Sequence, residues 1–268
     1  MATLQPEPLN GRRVLICRPQ PEADRLGAVF RAAGAEVRVL PMLERQPMTD
    51  SPAVRARILD IDQFSHVIAV SPYAAGLLID CLDTWWPHPP EGILWFGVGG
   101  GTAAVLANYG LDPRQPLNGH TSEALLELPE LNNLQHSKVL IVRGEQGRNT
   151  LPETLKARGA RVTLLPLYRR FAPEHDSNTL HQALTGFDPE VIVTLSGETL
   201  NNLISLGNNS GHNPEYCLIV VPAQRIADQA HKVGLNLTCV PERLDDSTIV
   251  AAVARQLASL DASPGNTL

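Results

Sequence analysis

The feature that most constrains the fold of this chain is an internal repeat. From Arg13 the chain reads RVLICRPQPEADRLGAVFRAAGAEVRVLPMLERQ, and from Lys138 it reads KVLIVRGEQGRNTLPETLKARGARVTLLPLYRRF. The two segments align without a gap at an offset of 125 residues, which is 138 minus 13. The same offset aligns VIAVS, ending at Ser71, with IVTLS, ending at Ser196. Because self-similarity over such a length determines architecture, the sequence predicts two copies of one structural unit.

Each copy alternates short apolar runs with segments of helical spacing. The runs are rich in Val and Ile, which is typical of strands buried on both faces of a sheet. They lie at residues 14–17, 67–70, 139–142, 191–195 and 218–221. Strand-helix alternation predicts right-handed β-α-β units and a parallel sheet. We therefore expect an α/β protein with two similar parallel-sheet domains that arose by internal duplication.

A proline-marked link follows each copy of the repeat. The links read LPMLERQP, with prolines at 41 and 47, and LPLYRRFAP, with prolines at 166 and 173. Because proline restricts itself and the residue before it, both links are predicted to be extended linkers. Two partitions follow. Either each repeat is one domain, with a cut near Gln135, or the chain crosses over at both links, so that one domain contains both chain ends.

The composition excludes several classes of protein. The net charge of −6 argues against a nucleic-acid-binding surface, and the longest apolar runs are far too short for a membrane span. Cys17, Cys81, Cys217 and Cys239 form no C-x-x-C pair, which favours reduced core thiols. The first residues contain no apolar core of a secretory signal. We expect a cytoplasmic protein without nucleic-acid or membrane partners, and a monomer by default.

Several motifs, taken in order, resemble the uroporphyrinogen-III synthase family. They are VLICRP, VIAVSPYAA, FGVGGGTAAVLANYG, SEALLEL, VLIVRGEQGR and LPLYRRF. The resemblance implies an enzyme, a cyclising hydro-lyase of haem and porphyrin biosynthesis. Such an enzyme takes the linear tetrapyrrole hydroxymethylbilane, removes water, inverts the terminal pyrrole ring and closes the macrocycle to uroporphyrinogen III.

The family resemblance also implies a layout and a set of partners. It favours the crossing-over partition, with residues 1–42 and 172–268 in the first domain and 43–171 in the second. It implies two extended linkers with the substrate site between the domains. No metal and no organic cofactor is expected. The substrate is expected to arrive by hand-over from the preceding enzyme of the pathway.

A glycine turn is the first candidate site. Gly99, Gly100, Gly101 and Thr102 follow an apolar strand and open a helix. The turn permits three interpretations: a dinucleotide fingerprint, a purely structural turn, or a carboxylate site. No acid is well placed at the end of the following strand, which argues against a dinucleotide. The free N–H groups at a helix start favour any anion, including the acetate and propionate arms of a tetrapyrrole precursor.

An arginine-glycine loop is the second candidate. Arg143 and Gly144 follow a strand, and Arg148 lies near the start of the next helix. Ligands in open α/β sheets bind beyond the carboxyl ends of the strands, and arginine binds carboxylates with two parallel hydrogen bonds. Arg18 is the repeat counterpart of Arg143. We predict substrate contacts for all four residues; an ordinary solvated loop is the alternative.

Ser71, Ser196 and Gln224 complete the predicted substrate contacts. Both serines end a buried strand just before a helix, where Ser also serves as an N-cap. Neither lies in the G-x-S-x-G elbow of a serine hydrolase, so a nucleophilic role is rejected. Gln224 opens a helix where family members often carry Ser or Thr. The side-chain amide of Gln224 is able to donate to a carboxylate. The role of the Ser or Thr hydroxyl group found in family members is not carried over to this position.

Tyr168 is the predicted catalytic residue. It lies in the second link, where the repeat has Leu43. The resemblance implies that its phenol helps the hydroxyl group to leave, as a hydrogen-bond donor or general acid. The alternative is an aromatic side chain that packs at a domain interface. Two other functions share these features: a two-domain protein that binds a small acidic ligand without chemistry, and a nucleotide-dependent enzyme that uses the glycine turn.

Overall fold

The computed structural model describes residues 7–119, 121–207 and 214–262. Its strands, numbered along the chain, are β1 (Arg13–Ile16), β2 (Glu36–Val39), β3 (Glu44–Pro47), β4 (His66–Ala69), β5 (Leu94–Gly97), β6 (Pro113–Arg114), β7 (Lys138–Gly144), β8 (Arg161–Phe171), β9 (Val191–Val193), β10 (Leu218–Val220) and β11 (Thr238–Cys239).

Helices connect these strands. In chain order they are α1 (Glu22–Ala32), α2 (Pro52–Leu59), α3 (Pro72–Trp85), α4 (Gly100–Asn108), α5 (Ser122–Leu125), α6 (Thr150–Ala157), α7 (Ser177–His181), α8 (Gly197–Gly207), α9 (Gln224–His231) and α10 (Asp246–Asp261). Within the described residues, no helix has the length and apolar character needed to span a bilayer.

The chain folds into two compact units. The first comprises Met1–Glu44 and Phe171–Leu268, and the second comprises Arg45–Arg170. The first unit is therefore built from an N-terminal and a C-terminal stretch of the chain, and the second from the stretch between them. The sequence-based boundaries lie close to these, at 42/43 and 171/172.

The two sheets have the same strand order once the repeat is taken into account. The first sheet runs β2-β1-β9-β10-β11, and the second runs β8-β7-β4-β5-β6 with β3 added beside β8. The pairs in the first sheet and those from β8 to β6 are parallel. At the repeat offset, β1 corresponds to β7 and β2 to β8, while β4, β5 and β6 correspond to β9, β10 and β11. The prediction of two similar parallel-sheet α/β domains is confirmed.

The sequence builds these sheets because their central strands are apolar on both faces. Val14, Leu15 and Ile16 of β1 are fully buried, and so are Leu218, Ile219 and Val220 of β10. Burying each such side chain stabilises the folded state by about 1.5–3 kcal/mol. The second predicted linker is extended, as expected, and its extended backbone is part of a strand, because Pro166 and Tyr168 lie inside β8. The restriction that proline places on the residue before it is compatible with strand backbone.

Candidate active site

A cavity of about 390 Å³ lies in the second unit, where β4, β5, β7 and β8 end. This volume is within the range of about 300–1,000 Å³ that is common for ligand sites. Its lining is rich in polar side chains. They are Ser71, Thr121, Ser122, Glu123, Arg143, Gln146, Arg148, Tyr168 and Arg170.

A bulge between β7 and β8 sets the direction of Tyr168. Arg143 pairs with Pro166, but the next residue, Gly144, pairs with Tyr168, so Leu167 is an extra residue in β8. A β-bulge re-aims the side chain that follows it. Tyr168 is 8% exposed and lines the cavity, while Leu167 is fully buried.

The phenol of Tyr168 is fixed by its neighbours. Its ring packs edge-to-face on Tyr73, with 4.9 Å between the centroids, and the Arg45 guanidinium lies 4.1 Å from the Tyr73 centroid. The Tyr168 Oη is 3.5 Å from Ser71 Oγ, at the outer limit of a hydrogen bond. Ser71 is also the N-cap of α3, since its Oγ accepts from Ala74 N at 3.1 Å. Capping therefore places a hydroxyl beside the phenol.

Arg143 is turned toward its own loop. Its Nε donates to the Gly144 carbonyl at 3.1 Å, its Nη1 to the Arg148 carbonyl at 2.8 Å, and its Nη2 to the Gly147 carbonyl. These bonds use three of the five N–H donors of a guanidinium. The residue is 5% exposed, and burial lowers the pKa of Arg143 while the neighbouring Tyr168 raises it. The guanidinium thus organises the loop at residues 144–148.

The same loop is bonded to β8 at two places. The Gln146 side chain donates to the Arg170 carbonyl at 3.2 Å and accepts from Arg170 N at 3.1 Å. The backbone N–H of Glu145 donates to the Tyr168 carbonyl at 2.8 Å. These bonds continue the pairing of β7 and β8 beyond the bulge. They hold the loop and Tyr168 in one arrangement.

The start of α5 forms another wall of the cavity. Thr121 is its N-cap and accepts from Ala124 N at 3.2 Å. The pKa of Glu123 is lowered, first by its own backbone N–H and the Thr121 hydroxyl, and further by the charge of Arg148. Arg143, Arg148 and Arg170 thus share the cavity lining with one carboxylate, that of Glu123. The lining is suited to anionic groups.

Comparison with known proteins decides the family. A family profile described as uroporphyrinogen-III synthase HemD matches residues 24–251. The uroporphyrinogen-III synthase of Salmonella typhimurium is 32% identical over 246 residues, which are 90% of this chain and 99% of the relative. The chain belongs to the uroporphyrinogen-III synthase family. The Escherichia coli member is 29% identical over the same shares of both chains.

Solved members of the uroporphyrinogen-III synthase family share the fold. A crystal structure of a mutant enzyme from Thermus thermophilus superposes with a TM-score of 0.64 at 16% identity, covering 93% of this chain and 100% of the other. The Helicobacter pylori enzyme gives a TM-score of 0.56 at 14% identity, covering 92% and 99%. Membership confirms the predicted activity, a cyclising hydro-lyase of tetrapyrrole biosynthesis. The family implies hydroxymethylbilane as substrate.

The predicted glycine turn forms the N-terminus of α4. The carbonyl of Gly99 accepts from Thr102 N at 2.9 Å, and Thr102 is 3% exposed. A Cβ on Gly100 or Gly101 would meet nothing closer than 3.5 Å, so packing does not require glycine at either position. Val98, just before the turn, lines the cavity. A carboxylate contact by the turn itself stays a prediction.

Three predicted substrate contacts of this chain belong to the first unit and have partners there. Arg18 Nη1 lies 3.6 Å from the Asp246 carboxylate. Ser196 Oγ accepts from Thr199 N at 3.0 Å, as an N-cap does. The Gln224 side chain donates at 2.9 Å to a carboxylate one turn later in α9. Their contact with substrate stays a prediction.

Sequence reasoning missed part of the cavity lining. The missed polar residues are Thr121, Ser122, Glu123, Gln146 and Arg170. The first three stand at the start of α5, which occupies the same place in the second unit as the start of α10 in the first. Both helices begin after a side chain that caps them, so a comparison of the two copies could have drawn attention to these residues.

Proposed function

We propose that this chain converts hydroxymethylbilane into uroporphyrinogen III in the cavity around Tyr168. The observation that supports this most is that the Tyr168 phenol shares the cavity with Arg143, Arg148 and Arg170. A departing hydroxyl group needs a proton, and the acetate and propionate arms of the substrate need cationic partners. The cavity lining offers both.

Tyr168 acts as the general acid in this proposal. The phenol gives its proton to the hydroxyl group on the terminal methylene carbon, and the C–O bond breaks with release of water. The pyrrole nitrogen donates electrons to that carbon, so departure is intrinsically easy and a weak acid suffices. Tyr168→Phe should lower kcat by about tenfold, below the usual contribution of general acids, and should leave the fold intact.

The larger task is the choice of the ring carbon that attacks. Unassisted closure joins head to tail and gives the type I isomer. The enzyme must hold a folded substrate so that the terminal ring reacts in the inverted sense, which is catalysis by positioning and differential binding. We propose that Arg148 and Arg170 bind carboxylate arms, together with the hydroxyl groups of Ser71 and Ser122. Gly144 also remains a predicted substrate contact, whereas the Arg143 guanidinium, bonded to three loop carbonyls, is not assigned to a carboxylate arm.

The decisive experiment resolves the two product isomers. Purified protein is supplied with hydroxymethylbilane, and type I and type III uroporphyrinogens are separated after oxidation. We expect type III to dominate with the parent protein. The same isomer ratio as in buffer alone would refute the proposed function. For the Tyr168→Phe variant, Tyr216→Phe is the matched control. Tyr216 is 71% exposed, so removing its hydroxyl group should not affect turnover.

We also propose that the substrate arrives by hand-over from the preceding enzyme of the pathway. The support is chemical, because free hydroxymethylbilane closes to the wrong isomer without help. The type I fraction is compared when the substrate is made in situ by that enzyme and when it is added free at the same rate. A lower type I fraction in the coupled reaction supports hand-over. Equal fractions at every synthase concentration would exclude it.

A further inference from the structure

The two glycines of the loop at residues 144–148 show what the loop packs against. A Cβ on Gly147 would lie 2.5 Å from Cζ and 2.6 Å from Nη2 of Arg143. A Cβ on Gly144 would lie 2.8 Å from Cε2 and Cζ of Tyr168 and 3.1 Å from its Oη. The Arg143 guanidinium therefore occupies the side-chain space of one glycine, and the Tyr168 phenol occupies that of the other. One short loop is packed against both groups.

The charge of Arg143 is balanced by backbone dipoles. The three hydrogen bonds given above all go to carbonyl groups, and within the described ranges no ion pair joins Arg143 to a carboxylate. Tyr168 is the neighbour that raises the pKa of Arg143 against the effect of burial. A guanidinium stays protonated in proteins. The cavity lining therefore contains a buried positive charge, held in the loop that packs against the phenol.

A group bonded in this way is poorly suited to follow a substrate arm. Moving the guanidinium would break hydrogen bonds to three carbonyls and would free the loop that packs on Tyr168. Donors fixed in advance are, however, suited to stabilising charge that develops during a reaction, because they need no reorganisation.

We propose that Arg143 is a positioning residue for Tyr168. Its guanidinium holds the loop against the phenol and stabilises the negative charge that develops on Oη as the proton moves to the leaving hydroxyl. The Oη–H and substrate C–O bonds break, an O–H bond forms, and water departs. The phenolate regains a proton when ring closure releases one. The inference rests on the proposed function and gives Arg143 a role distinct from binding a carboxylate arm.

The test is a double-mutant cycle on the purified full chain. Arg143→Met and Arg143→Lys are made alone and together with Tyr168→Phe, and kcat and KM for hydroxymethylbilane are measured. We expect Arg143→Met to lower kcat by about tenfold with little change in KM, and to have almost no effect in the Tyr168→Phe background. Arg143→Lys should recover part of kcat relative to Arg143→Met. Lysine keeps the positive charge but lacks the planar guanidinium that donates to several carbonyls at once.

Arg148→Met is the matched control from the same loop. Its side chain is proposed to bind substrate, so it should raise KM to the same extent in both backgrounds. An equal loss of kcat from Arg143→Met with and without the phenol would overturn the inference, and so would a raised KM with unchanged kcat.

Two further results keep the outcome clear. If Arg143→Met does not fold, as judged by its thermal midpoint, the cycle with Arg143→Lys is decisive by the same criteria. If the parent protein leaves the isomer ratio unchanged, the proposed function fails and the inference fails with it. If the parent protein makes type III normally but the effects of the Arg143 and Tyr168 substitutions on kcat are additive, the inference about Arg143 fails and the proposed function stands.

Discussion

The two copies of the repeat use the same arginine in different ways. In the first unit, Arg18 lies 3.6 Å from Asp246, and Arg25 also donates to that carboxylate at 2.6 Å. In the second unit, the counterpart Arg143 donates to carbonyl groups and lines a cavity. Asp246 is the first residue of α10 after the N-cap Asp245, and the residue at the same helix position in α5, after the N-cap Thr121, is Ser122, at an offset of 124 rather than 125.

This difference shows how one copy of a duplicated fold keeps a cavity lined by arginines. Both units place an arginine where a central strand ends, which is where α/β sheets bind ligands. The first unit supplies its own carboxylate at that edge. The second unit has a hydroxyl group at the equivalent position, and its cavity is lined by further arginines. The arginine of the first unit is therefore paired with a carboxylate of the protein itself, Asp246. The equivalent place in the second unit is suited to a carboxylate of a bound ligand.

The strongest test of this comparison copies the internal acid into the second unit. Ser122→Asp places a carboxylate in the cavity with Arg143 and Arg148. We expect kcat/KM to fall on the order of 100-fold, mostly through KM, because the new acid competes with substrate arms. An aspartate in the first turn of a helix is favourable, so the thermal midpoint should not fall.

Ser122→Asn is the control for Ser122→Asp, because it has the size of aspartate without the charge. It should lower kcat/KM by less than about tenfold. If both substitutions have equal effects, the cavity is sensitive to size and the charge argument fails.

The next largest effect concerns the loop after the arginine. The first unit has Pro19 where the second has Gly144. In Gly144→Ala the new Cβ would lie 2.8 Å from the Tyr168 ring, so ring or loop must move. We expect about 1–3 kcal/mol lower stability, and turnover reduced at least as much as in Tyr168→Phe. Gly76→Ala in α3 is the control, since a Cβ there meets nothing within 4 Å. Normal turnover in Gly144→Ala would contradict the proposed placement of the phenol.

Much of the fold follows from local sequence, whereas the site depends on contacts between distant residues. Residues 14–17 and 218–221 are continuous apolar runs, and parallel strands buried on both faces need nothing else. The bond between Gln146 and Arg170 joins a side chain to backbone 24 residues away, and no local pattern marks it. The direction of Arg143 was likewise unpredictable, because the carbonyls that attract it exist only once the loop has folded.

A smaller effect is expected when the internal acid is removed from the first unit. Asp246→Ser should lower stability by about 1–2 kcal/mol, since hydrogen bonds to charged groups are worth about 1.5–3 kcal/mol and the 66% exposure of Arg25 screens part of this. Asp261→Ser is the control. Asp261 is 55% exposed and pairs with Arg12 at the surface, so its loss should have a smaller effect. Equal shifts in thermal midpoint would contradict the assigned role of Asp246.

The same variant also tests Arg18, which lies 3.6 Å from the Asp246 carboxylate. A lower KM in Asp246→Ser would show that Arg18 contacts substrate once its internal partner is removed.

The smallest expected effect separates capping from catalysis in the repeated serines. Ser71 and Ser196 each accept a backbone N–H at the start of a helix, at 3.1 and 3.0 Å. Replacing either by Ala should therefore lower stability by about 1 kcal/mol. Within the second unit, Ser71 Oγ lies 3.5 Å from Tyr168 Oη, so Ser71→Ala should also reduce kcat, by about two- to threefold, whereas we expect no such loss from Ser196→Ala. If Ser196→Ala reduces kcat by the same factor at a matched thermal midpoint, then the serine of the first unit also takes part in turnover. The two copies would then be less different in function than their arginines indicate.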